Sequence, residues 1–213
     1  MRLIFLGPPG SGKGTQAERI CRHMDLAHLS TGDMLREEVR EDTELGRKVR
    51  SIMEAGDLVG DEIVNRLAFR RIERLDRFLL DGYPRNLQQA RELDAFTAKV
   101  DKPVDAVVLL DVPDDEVVRR ISSRVTCPEC GWVGSGRDLS PGDPCPECGA
   151  ARLQREDDRP EAVRNRLAKY HEQTEPLIRH YESRLTRIDG VGTVEKVTRR
   201  IEDSLEAIEG APR

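Results

Sequence analysis

The segment Gly7-Pro8-Pro9-Gly10-Ser11-Gly12-Lys13-Gly14-Thr15 decides how the rest of the chain is read. It follows an apolar run, Arg2–Leu6, and opens a stretch in which Ala17, Ile20, Cys21 and Met24 recur at i, i+3, i+4 and i+7. A strand, a glycine-rich loop and an amphipathic helix in that order make a phosphate-binding loop. The glycines let backbone N–H groups turn inward around phosphate oxygens, and the helix N-terminus adds a favourable dipole. Lys13 is one of only six lysines beside 29 arginines, so its placement is informative. It would neutralise the β and γ oxygens of a bound triphosphate. The general pattern has Ser or Thr directly after that lysine; here Gly14 stands there and Thr15 follows.

Working outward, further strands are predicted at 77–81, 104–112 and 187–189. The first run and the one at 104–112 lack alternation, as strands buried on both faces do. A stripe of Val163, Leu167, Tyr170, Thr174, Leu177 and Tyr181 predicts one long helix. Strand–helix alternation implies an α/β fold with a parallel sheet and its ligand at the carboxyl ends of the strands. The 213 residues, 37% hydrophobic against 35% charged, suit one domain with inserted subdomains. Aromatics are only 4%, so Leu, Ile, Val and Ala must fill the core. A net charge of −5 argues against a protein that coats nucleic acid, which wants a basic field. No run of 18 apolar residues exists, and the N-terminal run is too short for a signal peptide, so a cytoplasmic location is expected. The end, residues 210–213, is expected to fray.

Residues 125–153 differ in composition, with Pro128, Pro141, Pro144, Pro146, five glycines and four cysteines. Cys127-x2-Cys130-x14-Cys145-x2-Cys148 forms two knuckles, each followed directly by glycine at 131 and 149. That spacing suits a closed four-thiolate structural site for zinc; an iron–sulfur centre or bare thiols are the alternatives. The segment has few apolar groups, so bound metal is what could hold it together. The remaining cysteine, Cys21, falls on an apolar helix face and is expected in the core.

The Gly-Lys-Gly-Thr ending of the first loop resembles that of the nucleoside monophosphate kinases, adenylate kinases above all. Ser30-Thr31-Gly32-Asp33-Met34-Leu35-Arg36, Asp81-Gly82-Tyr83-Pro84-Arg85 and Asp111-Val112-Pro113 resemble further motifs of that family in the expected order. The resemblance covers residues 1–208. It implies a P-loop NTPase core, three-layered α/β/α, over 1–29, 60–122 and 159–213. An inserted helical segment for the acceptor at 30–59 and a zinc-ribbon-like lid at 123–158 complete it. It further implies reversible phosphoryl transfer from MgATP to AMP by a monomer.

By the same resemblance, Lys13, Arg36, Arg85, Arg120, Arg124, Arg155 and Arg166 act on the phosphates. Gly10, Ser11, Gly12, Lys13, Gly14, Thr15, Arg120, Arg124, Val133, Gly134 and Gly192 would meet ATP. Thr31, Arg36, Asp57, Leu58, Val59, Gly82, Tyr83, Pro84, Arg85 and Gln89, with Arg155 and Arg166, would meet AMP. Asp81, at a strand end, would hold magnesium through water. Arg120 and Arg124 are read as four apart on one helix, and Arg119 as solvated. Relatives with a zinc lid carry an aromatic residue where Gly134 stands. Trp132 is expected to face elsewhere, so looser donor choice is expected. Two other readings remain: a kinase for UMP or CMP, against which Thr31 and the long lid count, and a zinc-ribbon nucleic-acid-binding ATPase. The acidic balance and a lone basic residue, Arg137, within 127–148 count against the latter.

Overall fold

The computed structural model describes residues 1–136 and 139–209; Arg137 and the tail 210–213 lie outside the described residues. The chain begins with β1 (Arg2–Leu6), α1 (Lys13–Met24), β2 (Ala27–Ser30), α2 (Thr31–Arg40), α3 (Glu44–Glu54) and α4 (Asp61–Ile72). It continues through β3 (Phe78–Asp81), α5 (Leu87–Lys99), β4 (Ala106–Asp111) and α6 (Asp114–Ser122). After a small hairpin of β5 (Arg124–Thr126) and β6 (Val133–Ser135) come α7 (Pro160–Lys169), α8 (Leu177–His180), β7 (Leu185–Asp189) and α9 (Val194–Glu209). The main sheet has the order β2-β3-β1-β4-β7, with every pairing parallel.

Successive residues of β1 point to opposite faces, and the two faces carry separate cores. Leu3 and Phe5 join Ala17 and Ile20 of α1 and Ile201 and Leu205 of α9. Ile4 and Leu6 join Ala68 and Ile72 of α4, Leu93 of α5 and Leu177 of α8. The result is the expected three-layer α/β/α arrangement. Cys21 is buried in the first core, and burial pushes its thiol up to about 12. Among the described residues no helix is long and apolar enough to cross a membrane.

Three elements differ from the sequence reading. β2 is a strand that the reading lacked. Ala-His-Leu-Ser has no apolar run, because an edge strand pairs only with β3 and buries just its last two residues. The long stripe is not one helix: α7 gives way at Tyr170–Thr174 to a π-helical turn, where Glu175 N–H donates to Tyr170 O over 2.8 Å. The wider turn shifts the phase, so Val163 and Leu167 pack under α6 while Leu177 and Tyr181 enter the larger core. α6 ends at Ser122, so Arg124 opens β5 and does not share a helix with Arg120.

Candidate active site

The loop after β1 turns on Gly7, Gly10 and Gly12, all with positive φ. Gly7 has no alternative: a Cβ there would lie 2.6 Å from Leu110 O. Lys13 leads α1, and its Nζ donates to Gly7 O at 2.7 Å and Pro8 O at 2.8 Å, folded over the loop it belongs to. Burial pulls its ammonium down to about 8; Asp81 opposes that shift, and Arg85, Arg166 and Arg124 add to it. Asp81 ends β3 opposite Phe5, and its carboxylate is buried. A Cβ at Gly14 would lie 3.5 Å from Asp81 Oδ2, so glycine keeps the space between loop and carboxylate clear.

Five arginines from five places face the same region. Arg36 from α2 donates to Asp33 Oδ1 through Nη2 at 2.5 Å. Arg85 follows the turn at Gly82, whose carbonyl accepts its Nε at 2.8 Å. Arg124 opens β5 and grips the fully buried Asp158 through Nε at 2.7 Å. Arg166 on α7 donates to Asp157 Oδ2 at 3.0 Å. Arg155 precedes that acidic pair and has no ion-pair partner within 4.0 Å among the described residues, and neither has Arg85. Burial lowers both guanidinium groups to about 10. Arg166 and Arg36 press further on Arg85, and Arg36 and Arg124 on Arg155. A group of cations that repel one another and lack enough carboxylates is a site for a polyanion.

Arg120 stands apart. It is on α6, bonded to Glu116 at 2.7 Å, and donates to Ser11 O at 3.3 Å and Gly190 O at 3.0 Å. It thus ties the phosphate loop to α6 and to the turn after β7. Arg119 is exposed and paired with Glu116.

Beside the arginines lies a cleft lined by Thr31, Arg36, Asp57, Leu58, Val59, Arg85, Gln89, Asp157 and Arg166. Thr31 Oγ1 donates to Gly82 O at 3.1 Å, tying α2 to the turn after β3. Tyr83 is not on the wall: it is wholly buried, and its hydroxyl donates to Asn65 Oδ1 at 2.6 Å, so it supports the cleft from beneath. Gly82, Pro84 and Arg155 also lie outside the lining set.

In the knuckle segment the four Sγ atoms lie within 4.8 Å of one another, with Cys127–Cys148 at 3.4 Å and Cys130–Cys145 at 3.6 Å. Zn–S bonds of about 2.3 Å in a tetrahedron give edges of about 3.8 Å, so the set fits zinc as it stands. Chiefly the N–H of Cys130 holds the Cys127 thiol down to about 7, toward the thiolate that a metal needs. Trp132 does not face elsewhere: its ring lies over Gly134, and a Cβ at Gly134 would collide with it. The Arg152 guanidinium sits 5.8 Å from the Trp132 ring centre. Val133 and Gly134 belong to β6.

The family profile described as "Adenylate kinase" matches residues 5–186. The chain belongs to the adenylate kinase family. An adenylate kinase of Petrotoga mobilis is 47% identical over 205 residues, covering 94% of this chain and 95% of that one. One of Acidothermus cellulolyticus is 47% identical over 207 residues, with 94% and 95% covered. One of Archaeoglobus fulgidus is 45% identical over 215 residues, with 98% and 99% covered. As a member of the adenylate kinase family the chain is a nucleoside monophosphate kinase, a phosphotransferase.

Sequence reasoning passed over the acids that hold these arginines. Asp33 belongs to the segment that resembles the family's acceptor motif, and Arg155-Glu156-Asp157-Asp158 resembles its R-x-D-D stretch, but neither likeness says which arginine each acid holds. Burial raises Asp157, but Arg166, Arg36, Arg124 and Arg155 together hold it below the usual carboxylate range. Gly190 was also passed over in favour of Gly192. Gly190 is the glycine that meets the phosphate loop: its missing side chain faces Val112 and Ser11 O, and its carbonyl takes Arg120. Gly192 lies further along the turn before α9.

Proposed function

We propose that the chain transfers the γ-phosphoryl group of MgATP to AMP, giving two ADP, and runs the reverse with the same residues. The observation that carries this is the convergence of Lys13 and five arginines between a phosphate loop and a second cleft lined by Thr31, Leu58, Val59 and Gln89. ATP lies along Gly10–Thr15 with Arg120 and Arg124, and beneath Val133, Gly134 and the turn at Gly192. AMP enters the cleft over Thr31, Asp57, Leu58, Val59 and Gln89, near Gly82 and Pro84, with its phosphate on Arg36 and Arg85. Arg155 and Arg166 stand between the two and meet the group in transit. Residues 30–59 form the acceptor segment, 123–158 the lid, and 1–29, 60–122 and 159–213 the core of a cytoplasmic monomer.

Phosphoryl transfer needs alignment and positive charge around the moving group. Lys13 and the arginines supply both. The P–O bond to the β–γ bridging oxygen breaks as an AMP phosphate oxygen binds the phosphorus. That oxygen is already anionic at neutral pH, so no general base is required. Magnesium, when bound, would draw charge from the donor oxygens, and Asp81 with the clear space beside Gly14 suits a hydrated cation there. The lid closes over the donor and keeps water from accepting the phosphoryl group.

A coupled assay with MgATP and each of AMP, UMP, CMP and GMP tests the proposal. AMP should be preferred at least about a hundredfold in kcat/KM. Equal turnover of UMP or CMP would overturn the acceptor assignment.

A further inference from the structure

Gln89 lies in the first turn of α5, is 1% exposed, and lines the acceptor cleft. The two ends of a glutamine amide have the same shape, and only their partners decide which way round it sits. Here both partners are one-way. The backbone N–H of Arg85 can only donate, and Gln89 Oε1 accepts it at 2.7 Å. The carboxylate of Asp61 accepts from Gln89 Nε2 at 2.7 Å. Asp61 is itself held: Asn86 Nδ2 donates to its two oxygens at 2.9 and 3.1 Å. Asn86 in turn caps α5, its Oδ1 accepting Gln89 N–H at 2.8 Å. Asp61 is the first residue of α4, where a negative charge is favoured.

From this we propose that Asp61 is a positioning residue that determines acceptor specificity, by fixing which face of the Gln89 amide the base meets. The inference rests on the reading above that Gln89 meets the acceptor base. With these bonds made, Gln89 has one N–H and one oxygen lone pair left. Adenine answers with an acceptor at N1 and a donor at its 6-amino group. Hypoxanthine and guanine offer the reverse, N1–H and a 6-oxo group, and would need the amide turned over. Turning it over sets Nε2 against the Arg85 N–H and Oε1 against the Asp61 carboxylate, two repulsive contacts in a buried place. The base cannot turn instead, because its phosphate is held on Arg36 and Arg85. Selection against 6-oxopurines is therefore built into the second layer, one residue behind the one that touches the base.

The test compares kcat/KM for AMP and IMP, which differ at that edge alone, in wild type, Asp61→Asn and Gln89→Ala, with thermal unfolding measured alongside. An asparagine at 61 can either accept or donate, so Asp61→Asn should lower the AMP/IMP ratio by about tenfold or more. A ratio left unchanged, or an equal loss for both acceptors, would mean that Asp61 only supports the fold, and the inference fails. If Gln89→Ala collapses the ratio while Asp61→Asn does not, the base reading stands and this inference alone falls. If neither changes it, the base is read elsewhere and both fall. Should Asp61→Asn not fold, Asn86→Ser keeps a side-chain cap for α5 but withdraws both donors from Asp61. It should lower the ratio by about threefold, and an unchanged ratio there overturns the inference equally.

Discussion

The central sheet and the knuckle segment hold their shape by opposite means. Leu3, Ile4, Phe5, Leu79, Leu80 and Val107 are fully buried, and apolar surface removed from water holds the sheet at roughly 25 cal/mol per Å². In 123–158, by contrast, the buried residues among those described are Val125, Cys127, Cys145, Arg152 and Asp158, and none belongs to a hydrophobic cluster. Leu153 there is 51% exposed. Such a segment has backbone pairing and four cysteines placed for a metal in the place of a core, so it should be able to come apart without the sheet. The contrast teaches where each task is placed. The groups that must not move, the phosphate loop and Asp81, end strands of the sheet. The segment proposed as the lid carries its four cysteines at the tip and the Arg124–Asp158 pair at its root.

The largest expected effect tests the rigid side. Lys13→Met should lower kcat/KM by at least about a thousandfold, ~4 kcal/mol of barrier, with zinc content and unfolding temperature unchanged. A loss within tenfold would mean that the loop is not where the triphosphate sits. The same lysine sets a pH dependence. Burial brings its ammonium down to about 8, so above that pH it must first take up a proton to meet the triphosphate, and MgATP affinity should fall as pH rises. Calorimetric titration from about pH 7 to 9.5 should show this slope, and Lys13→Arg, which stays charged, should flatten it.

A smaller effect tests the other side. Replacing Cys127 and Cys145 together by Ser takes one buried thiolate from each knuckle. It should remove one zinc per chain by elemental analysis and cut activity by about tenfold to a hundredfold, because no knuckle residue touches phosphate. The main calorimetric transition, that of the sheet, should stay where it was. If it moves down with the metal, the two regions are one cooperative unit and the contrast fails.

The smallest sharpens what the lid reads. Trp132 already covers Gly134, so Gly134→Tyr would displace a ring that is present and not supply a missing one. Trp132→Ala is the informative variant. An aromatic contact is worth roughly 0.5–1.5 kcal/mol, so preference for ATP over GTP should drop by about three- to tenfold. No change in that ratio would take the donor base away from this ring.

By itself the sequence determined the phosphate loop, the strands at the centre of the sheet and the metal ligands. All three are local: glycine spacing, unbroken apolar runs and paired knuckles act within a few residues and carry their chemistry with them. It also placed the arginines by motif, but not their partners. Only the tertiary structure decided that Arg124 leaves the helix of Arg120, that Asp158 and Asp157 answer Arg124 and Arg166, and that Asp61 stands behind Gln89 from 28 residues away. It also decided that β2 is a strand and that the long stripe breaks at a π turn. An edge strand needs a neighbour to be one, and a buried carboxylate is no different in sequence from an exposed one. What separates them is which side chains the crossovers of the sheet bring to the same end, and no spacing along the chain encodes that.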